Sequence, residues 1–158
     1  MNKTEEKQQR VLTLLEQASH ACTRAREMAL LDSGISLEQL QVLGFVITAS
    51  EPVTPARLAR HVFREPHTIS GLIARMEAAG LINRMPATNH GLKRNQVVLT
   101  ATNKGEVAYK KISRQDPAQE ILAGLGIDAD ALIEALSEIR RAGLEVMRKH
   151  QKLSFGGL

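Results

Sequence analysis

Residues 54–84, TPARLARHVFREPHTISGLIARMEAAGLINR, decide the fold of this chain. Thr54 is a good N-cap and Pro55 suits the first helical position. A short helix is therefore predicted over about 55–62, with Leu58, Ala59 and Val62 as its apolar residues. Pro66 then opens a second helix that runs to Ala79, and Gly80 suits the position just past its end. Ile69, Leu72, Ile73 and Met76 fall at i, i+3, i+4 and i+7, which is one apolar face. The opposite face carries His67, Ser70, Gly71, Ala74 and Ala78, none of them long and charged. Two short helices joined by a tight turn form a helix-turn-helix, and a second helix with so small an outward face can sit deep in a groove.

Downstream, Leu81 to Met85 can form a strand. Pro86 to Lys93 carries the turn formers Pro86, Asn89 and Gly91, and Asn95 to Ala101 holds the strand-favouring run Val97, Val98, Leu99 and Thr100. This predicts a β-hairpin with Lys93 and Arg94 near its tip. Thr102 caps a helix to about Ser113, Asp116-Pro117 starts a small one to about Leu125, and Asp128 opens the last, over about 129–152. Upstream, Ser36 with Gln39 forms a capping box for a helix to Ala49. Residues 4–30 read as one long helix with a heptad stripe of Val11, Leu15, Ala18, Cys22, Ala25 and Ala29. The last helix has its own stripe, Leu132, Leu136, Ile139, Gly143 and Val146.

The expected fold is mainly α with a small β-hairpin wing: a winged helix-turn-helix between terminal dimerisation helices. The expected regions are 1–35 and 114–158 for dimerisation and 36–113 for the winged helix. Two apolar stripes at the chain ends are hard to bury in a monomer of 158 residues, which predicts a two-fold homodimer.

Composition narrows the function. Aromatic residues make up only 3% and hydrophobic residues 43%, which suits packed helices. The longest apolar stretch, Val42 to Ala49, is far short of the roughly 18–20 residues of a spanning helix, and the polar start lacks the apolar segment of a signal peptide. A cytoplasmic protein with no membrane partner is expected. Between Thr54 and Lys104 stand eight Lys or Arg against Glu65 and Glu77, a net +6, while the rest of the chain carries −2. A cationic middle between weakly acidic ends points to a polyanionic partner.

No phosphate-binding glycine loop, nucleophile motif or apolar carboxylate pair is present, so neither an enzyme nor a cofactor is expected. The five histidines show no close metal-ligand spacing, so no metal is expected. Cys22 sits in the first apolar stripe and reads as an inert core cysteine rather than a redox sensor.

With double-stranded DNA as the partner, residue types assign roles. Ser70 and His67 can hydrogen-bond base edges, and Ala74 or Thr68 can touch a thymine methyl. Arg75 flanks that face and suits a phosphate, with Arg57 and Arg60 nearby. A basic wing can place an arginine in an adjacent minor groove, where the potential is most negative. The expected DNA-binding residues on this ground are Pro66, His67, Thr68, Ser70, Gly71, Ala74, Arg75, Lys93 and Arg94. The alternative is a winged-helix protein-interaction module without sequence-specific DNA binding.

The runs Thr54-Pro55-Ala56-Arg57-Leu58-Ala59 and His67 to Arg84, with Thr102-Asn103-Lys104-Gly105 opening a helix that contains Tyr109, resemble the MarR family of transcriptional regulators. The resemblance is strongest from Leu40 to Lys110. It implies a triangular homodimer, a recognition helix at Pro66 to Ala79 and a wing arginine at Arg94. Arg84 would then support the wing or meet a phosphate. It also implies a small aromatic or phenolic effector between the DNA-binding lobe and the dimer helices. The wing segment Asn89-His90-Gly91-Leu92-Lys93-Arg94 departs from the family pattern in having no Asp to brace the arginine. Lys93 and Arg94 therefore both stand as the minor-groove residue. Ala101 also replaces the usual Leu before the capping Thr.

Overall fold

The computed structural model describes residues 2–87 and 96–155, with side chains to residue 150. In chain order it comprises α1 (Lys3–Ala29), α2 (Leu37–Thr48), α3 (Pro55–Val62), α4 (Pro66–Ala78), β1 (Ile82–Pro86), β2 (Val97–Ala101), α5 (Asn103–Ser113), α6 (Ala118–Ala123) and α7 (Ala129–Phe155). Met1–Gln119 forms one compact unit and Glu120–Leu158 a second.

The helix starts follow local chemistry. Ser36 Oγ accepts from the Gln39 N–H at 3.2 Å, and the Gln39 side chain accepts from the Ser36 N–H at 2.9 Å. Thr54 Oγ1 accepts from the Arg57 N–H at 3.2 Å, with Pro55 at the first position of α3. Thr102 Oγ1 accepts from the Gly105 N–H at 3.0 Å. A second capping box, Asn2 with Glu5, starts α1. Each such cap contributes about 1 kcal/mol.

The core of the first unit packs α2, α3, α4 and the hairpin together around Leu43, Leu58 and Ile82. Ile69, Leu72, Ile73 and Met76 of α4 are all at most 2% exposed. Burial of side chains of this size contributes roughly 1.5–3 kcal/mol each, so one face of α4 is fixed while the other stays open. A second cluster of Leu30, Leu37, Leu40 and Ile112 joins the end of α1 to α2 and α5.

β1 and β2 pair antiparallel from Ile82↔Ala101 to Pro86↔Val97. The hairpin is tied to the residue before Thr54 by the Leu99 N–H, which donates to the Val53 carbonyl at 2.8 Å. Pro86 belongs to the strand and not to the turn expected for it. The next pair is joined by the Ala87 N–H donating to the Gln96 carbonyl, which places Pro86 where a strand N–H points away from its partner. Residues 88–95, with the expected hairpin tip and both Lys93 and Arg94, lie outside the described residues.

No residue of α1 is buried, and Val11 is 54% exposed. Cys22 is half-buried. In the second unit Ile133, Leu136, Ile139 and Val146 of α7 are also exposed. No described helix is long and apolar enough to cross a membrane.

Candidate nucleic-acid interface

The fold turns the small face of α4 outward. Pro66, His67, Thr68, Ser70, Ala74, Arg75 and Ala78 are exposed, and Gly71 is half-buried. A side chain at position 71 would meet the Arg75 guanidinium, whose Nη1 lies 3.5 Å from where its Cβ would stand. The surface thus offers a hydroxyl, an imidazole and methyl groups over a rigid backing. Glu65, the residue before α4, makes no side-chain cap bond. The first amides of α4 therefore lack a side-chain acceptor, an arrangement that favours an anion nearby.

The far end of α4 is held tightly. Gly80, at φ +71°, allows a turn in which its N–H donates to the Glu77 carbonyl and the Leu81 N–H to the Met76 carbonyl, both at 2.9 Å. The segment opening α5 then takes up the remaining carbonyls. Thr102 Oγ1 donates to the Gly80 carbonyl at 2.7 Å, and Lys104 Nζ to the Ala79 carbonyl at 2.7 Å. Sequence reading gives Lys104 a charge and a place in the Thr102–Gly105 helix start, but no partner. Its partner lies 25 residues away, and nothing local in the sequence signals the contact.

The basic residues divide. Arg84 pairs with Glu77 at 3.1 Å, which ties β1 to α4. Arg57, expected near a phosphate, pairs with Glu51 at 3.3 Å, donates to the Pro52 carbonyl at 3.1 Å and lies 5.6 Å from the Phe45 ring centre. Arg60 donates to the Ala56 carbonyl at 3.3 Å, within its own helix. Arg75 stays on the flank of the exposed face.

Behind the helix-turn-helix, within the first unit, lies a cleft of about 470 Å³. Phe45, His61, Phe63 and Tyr109 give it aromatic walls, with Gln41, Thr48 and Ser113 as polar groups. His61 stacks on Phe45 with ring centres 3.7 Å apart and planes 8° from parallel. Arg26 and Asp116 also line the cleft and join α1 to the start of α6. Arg26 Nε and Nη2 both donate to the Asp116 carboxylate, the shortest bond being 2.7 Å. Asp116 also accepts from the Ala118 N–H at 2.9 Å.

Burial alone would raise the Asp116 pKa. The hydrogen bonds from Arg26 and Ala118, with the Arg26 charge, outweigh it and hold the carboxyl below its ordinary value. A lowered carboxylate pKa contributes stability that is present above the unfolded-state pKa and lost as pH falls through the folded one. Asp116→Asn should therefore lower the unfolding free energy at neutral pH by about 2 kcal/mol. In urea titrations across pH, its deficit against the wild type should shrink below the ordinary carboxylate range. A deficit that stays constant down to about pH 3 would show that the ion pair contributes no stability of its own.

Comparison with known proteins agrees with this fold. The sequence model of the MarR family matches residues 33–91. No curated protein matches the chain in sequence. Among solved structures, the organohalide-sensing regulator RdhR in its 2,4-dichlorophenol-bound form is 24% identical, with a TM-score of 0.70, over 95% of this chain and 90% of its own. CouR from Rhodococcus jostii RHA1, bound to p-coumaroyl-CoA, is 20% identical with a TM-score of 0.69, over 84% and 90%. The M. tuberculosis regulator MOSR, in complex with DNA, is 20% identical with a TM-score of 0.67, over 85% and 96%. The fold is that of the MarR winged-helix regulators.

Proposed function

We propose that this chain is a sequence-specific DNA-binding transcriptional regulator, a ligand-responsive repressor that binds a pseudo-palindromic operator as a homodimer. The observation that carries this reading is α4. One face is fully buried, its C-terminal end is clamped, and its exposed face is free of long charged side chains apart from Arg75 and the Arg84-paired Glu77 on its flanks. In this reading Ser70 and His67 read base edges in the major groove, and Thr68 and Ala74 contact thymine methyls. Pro66 and Gly71 let the helix approach closely. Arg75 and Arg84 hold phosphates, and Lys93 or Arg94 supplies the wing contact in the minor groove. That MOSR, a regulator of this fold, was solved in complex with DNA supports DNA as the partner.

The cleft is the effector site in this reading. Its volume of about 470 Å³ falls in the usual range for small-molecule pockets, and its aromatic walls suit a small aromatic ligand such as the 2,4-dichlorophenol that RdhR holds.

Residues 4–30 and 129–152 provide the dimer interface, because both carry apolar side chains that stand exposed in the single chain. Light scattering at micromolar concentration should give twice the 17.3 kDa chain mass; a monomer mass would remove the basis for a paired operator. The reading as a whole is tested by incubating the protein with fragmented genomic DNA and sequencing what it retains. A shared pseudo-palindrome with half-sites about 10 base pairs apart is expected. Fragments without a common motif would favour the protein-interaction module.

A further inference from the structure

Phe63 is the one non-glycine residue with positive φ among the described residues, at φ 54° and ψ 42°. Bulky side chains rarely adopt this left-handed conformation, and Gly or Asn usually ends a helix in this way. Phe63 nevertheless ends α3, with its own N–H and that of Arg64 both donating to the Ala59 carbonyl. Its ring is not stored in the core. It is 53% exposed and stands on the cleft wall with Val62, Phe45 and Tyr109. Neither burial nor backbone preference accounts for a phenyl ring at this position.

The turn that Phe63 begins is lightly held. Glu65 gives α4 no side-chain cap, and Arg64 reaches Glu38 only at 3.8 Å across an exposed surface. The other end of α4 is anchored by Thr102 and Lys104. A push on the turn would therefore bear on the first residues of α4, around His67, ahead of the buried Ile69 and the anchored far end.

We propose that Phe63 is the positioning residue that couples occupancy of the cleft to α4. An aromatic occupant displaces the Phe63 ring, Phe63 leaves the left-handed conformation, and the 63–66 turn resets the N-terminal end of α4. Strained residues of this kind persist where the surroundings hold them, and they switch when those surroundings change. This coupling rests on the cleft being an effector site.

Because the natural occupant is unidentified, a tethered benzyl group serves as the probe. Gln41, exposed on the cleft wall, is changed to Cys in a Cys22→Ser background and labelled with benzyl methanethiosulfonate. Backbone hydrogen exchange is then compared with and without the label. The label should speed exchange at residues 64–70 by a factor of about ten and leave residues 76–79 unchanged. In Phe63→Asn, which tolerates the left-handed region without a ring, labelled and unlabelled proteins should exchange alike. Phe63→Tyr should restore the response. An equal response in Phe63→Asn, or none with Phe63 in place, overturns the proposal. DNA binding is measured on the same proteins. The expected exchange pattern without DNA binding in any of them would uphold the coupling and sink the regulator reading.

Discussion

Gly105→Ala is expected to lower the free energy of unfolding by about 3 kcal/mol, at the upper end of the usual overpacking range. A Cβ at position 105 would run into the Leu81 carbonyl oxygen and lie 3.0 Å from Leu43 Cδ2. The first obstacle is backbone and cannot rotate aside. That same carbonyl accepts from the Thr102 N–H at 3.1 Å, one residue beyond the glycine that ends the α4 turn. Relief of the clash would draw the start of α5 away from α4 and lengthen the Thr102 and Lys104 bonds to Gly80 and Ala79. The variant should therefore lose α4 alignment as well as stability. Chemical denaturation checks the first effect, and a loss below about 1 kcal/mol would show that the contact relaxes without strain.

The second large effect is expected in DNA affinity across salt. Charge is concentrated at net +6 between Thr54 and Lys104, against −2 elsewhere. Each phosphate neutralised releases counterions. A dimer that covers on the order of 6–8 phosphates should show a slope of log affinity on log salt near −5 to −7. Arg57 and Arg84 already sit on Glu51 and Glu77, which favours the shallow end of that range. A fourfold rise in salt should then weaken binding by about a thousandfold. A slope shallower than about −2 would point to an interface that is not built on phosphates.

Much of the fold was legible because its signals are local. Ser36, Thr54 and Thr102 announce helix starts through bonds spanning only three residues. The spacing of Ile69, Leu72, Ile73 and Met76 predicted the buried face of α4 and thereby its exposed one. What sequence reading missed depends on distant partners. The Lys104 clamp and the Arg26–Asp116 pair arise only once the helices pack. Pro86 reads as a turn former until its strand register is known, because the absence of an N–H matters only on the side that faces a partner. Phe63 gave no sequence signal, since nothing about a phenylalanine suggests a left-handed backbone.

The central claim is that the exposed face of α4 reads bases. Its most direct measurement is the affinity of the wild type, Ser70→Ala and His67→Ala for a retained duplex and a scrambled one, at two salt concentrations. The wild type should prefer the retained duplex. Each substitution should reduce that preference by about 1–3 kcal/mol while leaving the salt slope unchanged, because base contacts are lost and phosphate contacts are kept. Equal affinity of the wild type for both duplexes, or full preference retained in both variants, would contradict it.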